Sequence, residues 1–317
     1  MNSLTLLLAL SAFAAEPLPT TIAGLKDSFI SSIERAQKNR ALAALAKTAP
    51  RDAAEVQALY DLFMRFPEPA ARRAAMDSLA LAPNHPSLEP LAVVALRGPD
   101  PESLFFGAHV AAHARTPAAL AALKKIAEQK LAHARADEPS LATERGLWWA
   151  QYEALEVLAQ WEGEDAYPLI LKRASESPAV GAILGRRYWT RVLPDLLKWA
   201  AGKGAAVERA RNAARQPIEP DDAMSTRATL FAAVADAKLD AEVRHQLALK
   251  VGASSDDAQA EELAKRHDAA KTDGERLIWA SALFVSRRPA AVPVLVRYAK
   301  PDPDEFRRKG ALAQLSD

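Results

Sequence analysis

Apolar residues along this chain recur at steps of three and four, the spacing that gathers them on one side of an α-helix. The stripe Ile22, Leu25, Phe29, Ile33 opens the series, within a helical pattern from Thr21 to Lys47 that Asn39 is placed to split. Asp52 stands as an N-cap before a helix carrying Val56, Leu59, Leu62 and Phe63, and Pro67-Glu68-Pro69 stops it. Further helices are predicted over Arg72–Leu79, Ser103–His113 and, after Thr116-Pro117, Leu120–Leu131. Leu141, Trp148, Tyr152, Leu155 and Leu158 form one more stripe, which at this spacing reads as core. Strand-like alternation of Val, Ile and Thr is nearly absent.

One kind of helix opening is used several times. Val292-Pro293-Val294-Leu295-Val296-Arg297-Tyr298-Ala299 has relatives in Tyr167–Ala174, Leu193–Ala200 and, more loosely, Glu89–Leu96. Each has a proline followed by apolar residues, and three of them have a basic residue and a closing Ala. Proline suits a first helical turn, where its missing N–H costs no hydrogen bond, so Pro90, Pro168, Pro194 and Pro293 are each predicted to open a helix. Units also echo one another: Pro101-Glu102 falls 34 residues after Pro67-Glu68, and Arg308–Leu315 aligns without gaps on Arg72–Leu79. These echoes imply a helix–turn–helix unit of about 30–40 residues.

Two breaks interrupt the helical pattern. Gln216-Pro217-Ile218-Glu219-Pro220-Asp221-Asp222 is the best boundary, with Asp221 or Asp222 capping the next helix. Gly252-Ala253-Ser254-Ser255-Asp256-Asp257 reads as a C-cap glycine and a new N-cap. The expected organisation is residues 1–14 as a signal peptide, 15–216 as an N-terminal helical array and 217–317 as a C-terminal array continuing it.

These units resemble the HEAT repeat family. The resemblance is carried by the Arg/Ala-rich first helices (Pro67–Leu79, Pro303–Leu315) and the Pro-plus-Leu second helices, and best by Arg276–Leu283, Pro289 and the Val292 stretch. It covers most of residues 50 to 317. The spacing from Pro168 to Pro194 is short, Leu141–Trp161 is long for the pattern, and Lys203 to His267 matches poorly. The resemblance implies an all-α α-solenoid, a superhelix of HEAT-like antiparallel helix pairs that presents an extended binding surface.

Composition narrows the chemistry. Lys and Arg number 41 against 40 Asp and Glu, so no global basic field gathers nucleic acid. Cysteine is absent, which removes disulfides, thiolate nucleophiles and Cys-ligated zinc. Leu4–Leu10 is apolar, and Ala12 and Ala14 suit a small-x-small cleavage site, so export and a periplasmic or secreted location are expected. That stretch is too short to span a bilayer as a helix.

His109 and His113 stand at i and i+4, but Val110 occupies the place where a zinc protease needs Glu, and no metal is assigned. None of the six histidines is followed by Glu, unlike the paired His-Glu dipeptides of the deoxyhypusine hydroxylases, a HEAT-like enzyme class. The alkylation-repair glycosylases of this fold need a basic cleft, which the balanced charge and the export signal argue against. No phosphate loop or nucleophile elbow is present, so neither catalysis nor a cofactor is assigned. The strongest signal outside the core lies between residues 181 and 215, with eight Lys/Arg against Asp195 and Glu208. Arg186, Arg187, Tyr188, Trp189, Arg191 and Trp199 interleave basic and aromatic groups there, and are the candidate partner-binding residues.

The chain is therefore expected to be a non-catalytic protein-binding scaffold of the bacterial cell envelope, exported and soluble. Its partner is expected to be a protein, with no nucleic acid and no membrane span. The alternatives are a HEAT-like enzyme or maturation factor of the chromophore-lyase kind and, should export fail, a cytosolic nucleic-acid-binding solenoid.

Overall fold

Proline sets where many of the helices begin. Pro69, Pro101, Pro117 and Pro220 each take the first residue of a helix, where the fixed φ is already helical. Side-chain caps open others: Thr21, Asp52, Asp240 and Thr272 each accept a backbone N–H three residues on, worth about 1 kcal/mol apiece. The computed structural model describes residues 18–98, 100–131 and 142–299. Among them all regular structure is helical, and the fold is all-α. No helix of the described residues is long and apolar enough to cross a membrane. Leu4–Leu10 with its Ala12/Ala14 site, Leu141, and the Pro303–Leu315 copy lie outside the described residues.

The chain divides after Leu158 into two compact units. The first contains α1 (Ile22–Ser31), α2 (Arg35–Leu45), α3 (Ala53–Arg65), α4 (Pro69–Ala80), α5 (Leu88–Arg97), α6 (Pro101–Ala114), α7 (Pro117–Ala127) and most of α8 (Ala142–Glu162). Helix α1 packs on α2 and α3, α2 on α4, α4 on α6, and α5 on α6 and α7. Helix α3 also packs on α4, so helices pair as α1–α2, α3–α4 and α5–α6, with further contacts between neighbouring pairs. Leu25, Leu59, Leu62, Leu79, Leu88 and Phe106 fill the interior. The α5–α6 seam is lined by Ala92, Ala95, Ala108 and Ala111, all buried, with Gly107 seated against Leu96.

The second unit begins within α8 and continues through α9 (Tyr167–Glu176), α10 (Gly181–Arg187), α11 (Trp189–Ala200), α12 (Ala205–Ala214), α13 (Pro220–Ala235), α14 (Ala241–Ala253), α15 (Asp257–Ala269), α16 (Asp273–Ser286) and α17 (Val292–Ala299). Helix α12 packs on α10, α11 and α14, while α14 packs on α13 and α16, and α16 on α15. Two glycines make these approaches close enough. A Cβ on Gly185 would overlap the Ala213 carbonyl, and one on Gly252 would overlap the Ala282 carbonyl.

Several expectations shift at the helix ends. The first helical pattern breaks at Ser32–Glu34 and not at Asn39, which lies inside α2. There the Ser32 hydroxyl donates to the Ser28 carbonyl at 2.5 Å, and Ile33 is left 97% exposed, off the stripe that predicted it. Pro168 and Pro293 are the second residues of their helices and Pro90 the third, but Pro194 sits well inside α11, which starts five residues earlier. Asp221 and Asp222 lie in the first turn of α13 and do not cap it, because Pro220 already opens it after Glu219. Gly252 is inside the last turn of α14 as a contact seat; Asp256 is the N-cap of α15, in a reciprocal pair with Gln259. The stretch Gln216–Asp222 holds the turn before α13 and that helix's first three residues, all within the second unit.

Candidate partner-binding groove

The basic-aromatic segment splits in the structure. Helix α10 ends at Arg187, and Tyr188 leaves helical geometry with φ −136° and ψ 36° before Trp189 starts α11. Trp189, Val192, Leu193, Leu196 and Ala200 then share the buried stripe of α11. Tyr188 and Trp189 are therefore core residues, 4% and 2% exposed, contrary to their expected place on a partner surface. The Tyr188 hydroxyl donates to the Gly163 carbonyl at 2.7 Å, and Trp189 Nε1–H donates to Thr226 Oγ1 at 3.2 Å. Trp199 is half-buried against the same core, with the Arg209 guanidinium 4.9 Å above its ring.

The arginines part as well. Arg187 and Arg191 fall on different helices, so although four residues apart they do not share a helix face. Arg191 pairs with Glu164 and stacks 3.9 Å from the centre of the Tyr167 ring. Arg186 and Arg187 are exposed, and Arg186 Nη1 reaches Gln216 Oε1 at 3.4 Å.

Other cations repeat a single device that no sequence motif marks. Arg209 Nε donates to the Ala174 carbonyl at 2.5 Å, Lys250 Nζ to the Gln216 carbonyl at 2.5 Å, and Arg288 Nε to the Ser255 carbonyl at 3.1 Å. The sequence separations are 35, 34 and 33 residues. Each cation thus meets carbonyls left without partners at or just beyond the end of an earlier helix, where positive charge is favoured.

Two of these cations, with Arg215 and Arg227, line a groove of about 890 Å³. It runs between the α12–α13 turn (Gln216, Pro217, Ile218) and the α14–α15 turn (Ser254, Ser255, Asp256). The two breaks in the helical pattern are thereby brought to one opening. Met224 and Val285 add exposed apolar surface, at 53% and 36%. Four cationic side chains face one lining carboxylate, Asp256, whose Oδ1 accepts the Gln259 backbone N–H.

Charge in the groove is incompletely matched. Burial pushes the Lys250 ammonium down to about 8, and the groups it meets are neutral, the Gln216 carbonyl and the Trp189 ring at 5.1 Å. Arg227 donates through Nη2 to the Ser254 carbonyl, while its buried Nε–H has no hydrogen-bond partner. Arg215 and Arg288 reach Glu242 and Asp257 at 3.5 Å, beyond normal hydrogen-bond length.

The first unit offers a different opening. A cleft of about 610 Å³ there is lined by Phe63, Met76, Phe105 and Trp149, and the Arg72 guanidinium on its wall is already paired with Glu102. His109 and His113 meet edge to face at 5.0 Å, and His109 Nδ1 lies 3.7 Å from Glu153. Burial first, then repulsion from His109 and Arg115, hold His113 down to about 4. Among the described residues no three His, Cys, Asp or Glu side chains converge as a metal would require.

No family model matches this chain, and no curated protein does. A solved structure that aligns with it is the crystal structure of an engineered protein from the Northeast Structural Genomics Consortium, 16% identical over 93% of this chain and 88% of that one. The TM-score of 0.28 is too low for that likeness to carry any argument.

Proposed function

We propose that this chain is a non-catalytic, HEAT-like protein-binding scaffold of the bacterial cell envelope, exported and soluble. The observation that supports the reading is the groove of the second unit. It is an opening between the α12–α13 and α14–α15 turns that leaves Met224 and Val285 exposed beside cations lacking full partners. Concave surfaces lined by apolar side chains with a few placed polar groups are where partners dock.

A photo-cross-linking residue at Met224 tests this in the native cell. Discrete adducts of protein size are expected there and not from the exposed position Lys265 on α15. Adducts absent from both positions, or identical at the two, would overturn the scaffold reading. The envelope location rests on Leu4–Leu10 and the Ala12/Ala14 site. The intact mass of the native protein is expected to lack Met1–Ala14, and a full-length mass would remove export from the proposal.

A further inference from the structure

We propose that the groove between the α12–α13 and α14–α15 turns takes a short acidic peptide whose carboxylates alternate with aliphatic side chains. The inference rests on the protein-binding reading and adds the chemistry of the ligand. Charge sets the sign: Arg215, Arg227, Lys250 and Arg288 line the groove against Asp256. Among the described residues Lys250 pairs with no carboxylate, and desolvation alone accounts for the weakening of its hold on its proton. A half-buried cation with only neutral neighbours is costly, and an incoming carboxylate offsets that cost with charge-assisted hydrogen bonds. Arg227 has five N–H donors, of which Nη2–H is tied to Ser254 and Nε–H has no partner.

The remaining lining decides between anions. Pro217, Ile218, Met224, Leu249 and Val285 are aliphatic, and no aromatic ring lines the groove. Single-stranded nucleic acid draws much of its binding from bases stacked on aromatic faces, which this lining lacks. An anionic bilayer is flat on this scale and cannot enter an opening between two turns. An extended peptide sends successive side chains to opposite sides, so carboxylates can meet the cations while Leu- or Val-like side chains cover the aliphatic wall.

The test is fluorescence anisotropy on the full chain at 0.1 M salt, with a labelled peptide alternating glutamate and leucine and a counterpart alternating glutamine and leucine. The glutamate peptide is expected to bind at least about tenfold more tightly, about 1.4 kcal/mol, because its carboxylates can accept charge-assisted hydrogen bonds that glutamine cannot match. Met224→Glu and Arg215→Gln alter exposed side chains, so the fold is retained and circular dichroism checks it. Each is expected to weaken the glutamate peptide about tenfold. Equal binding of the two peptides would overturn the proposal, as would indifference to both substitutions. Tighter, Met224→Glu-sensitive binding of a labelled oligothymidylate or of phosphatidylglycerol vesicles would overturn it in favour of those anions. Cross-links from Met224 in cells alongside a failed titration would discard the acidic-peptide chemistry and leave the scaffold reading standing. A successful titration with no cross-linked protein would do the reverse.

Discussion

Replacing Trp189 by alanine is expected to destabilise the second unit by about 3–5 kcal/mol, the usual cost of removing a buried large aromatic side chain. Trp189 is 2% exposed and is among the largest fully buried side chains of the described residues. Its indole packs in a cluster with Leu193, Leu196, Leu230 and Leu247 and donates to Thr226. Alanine leaves a cavity that flanking helices tied to other neighbours cannot close. In a domain of this size about 1 kcal/mol shifts the midpoint by about 2–4 °C, so thermal unfolding should fall by about 6 °C or more. Thr226 does not become an orphan, because its hydroxyl also donates to the Asp222 carbonyl at 2.6 Å. A fall of less than a degree or two would mean that the indole is not buried as described.

The second large effect is one of opposite signs. Gly252→Ala places a methyl group onto the Ala282 carbonyl and should cost about 1–3 kcal/mol or more, since the obstacle is backbone of a packed helix. Gly274→Ala, in the first turn of α16, meets nothing within 4 Å and should stabilise by about 0.4–1 kcal/mol through the unfolded chain. Urea unfolding reads both as midpoint shifts in opposite directions at constant slope. A gain at both positions would show that α14 and α16 are not in contact at this seat, and a loss at both would remove the account of Gly274. Helix propensity alone predicts a gain at both positions, so the contrast isolates packing.

Local features were legible from the residues and relational ones were not. Proline at helix starts, the Asp52 cap and the stripes at steps of three and four depend on neighbours within one or two turns, so they could be read directly. Reading Pro194 as a helix opener failed although an interior proline loses the bond from its own N to the residue four back, here Thr190, and crowds that residue's carbonyl. The buried stripe from Trp189 to Ala200 outweighed that one loss. Trp189 was named as a partner-binding candidate for its place among basic residues, a pattern that does not say which way the indole turns. Placing the stripe first would have sent Trp189 inward.

The groove was half visible. Its two turns were already recognised as breaks, but nothing local says that Lys250 meets Gln216 or that Arg288 meets Ser255. Those pairs depend on the register of one helix pair on the next, set in this stretch by alanine and glycine contacts that leave no distinctive motif. Ala210, Ala213, Ala214 and Ala248 are all fully buried, yet a run of alanines matches many registers equally well. Composition identified an excess of cations between residues 181 and 215. Only the packing showed that Arg209 binds an earlier carbonyl while Arg191 stacks on Tyr167.

The seat of Gly252 reaches beyond stability. Among the residues lining the groove, Lys250, Ala253 and Ser254 belong to α14 and its C-terminal end, while Val285 and Arg288 belong to α16 and the turn after it. The separation of these two helices therefore bears on the opening that both help to line, and the missing side chain of Gly252 lets them approach. Aperture can be altered in such a design without touching any lining residue, by changing the bulk at one buried point. The ligand chemistry proposed for the groove and the packing behind it would then be tuned together.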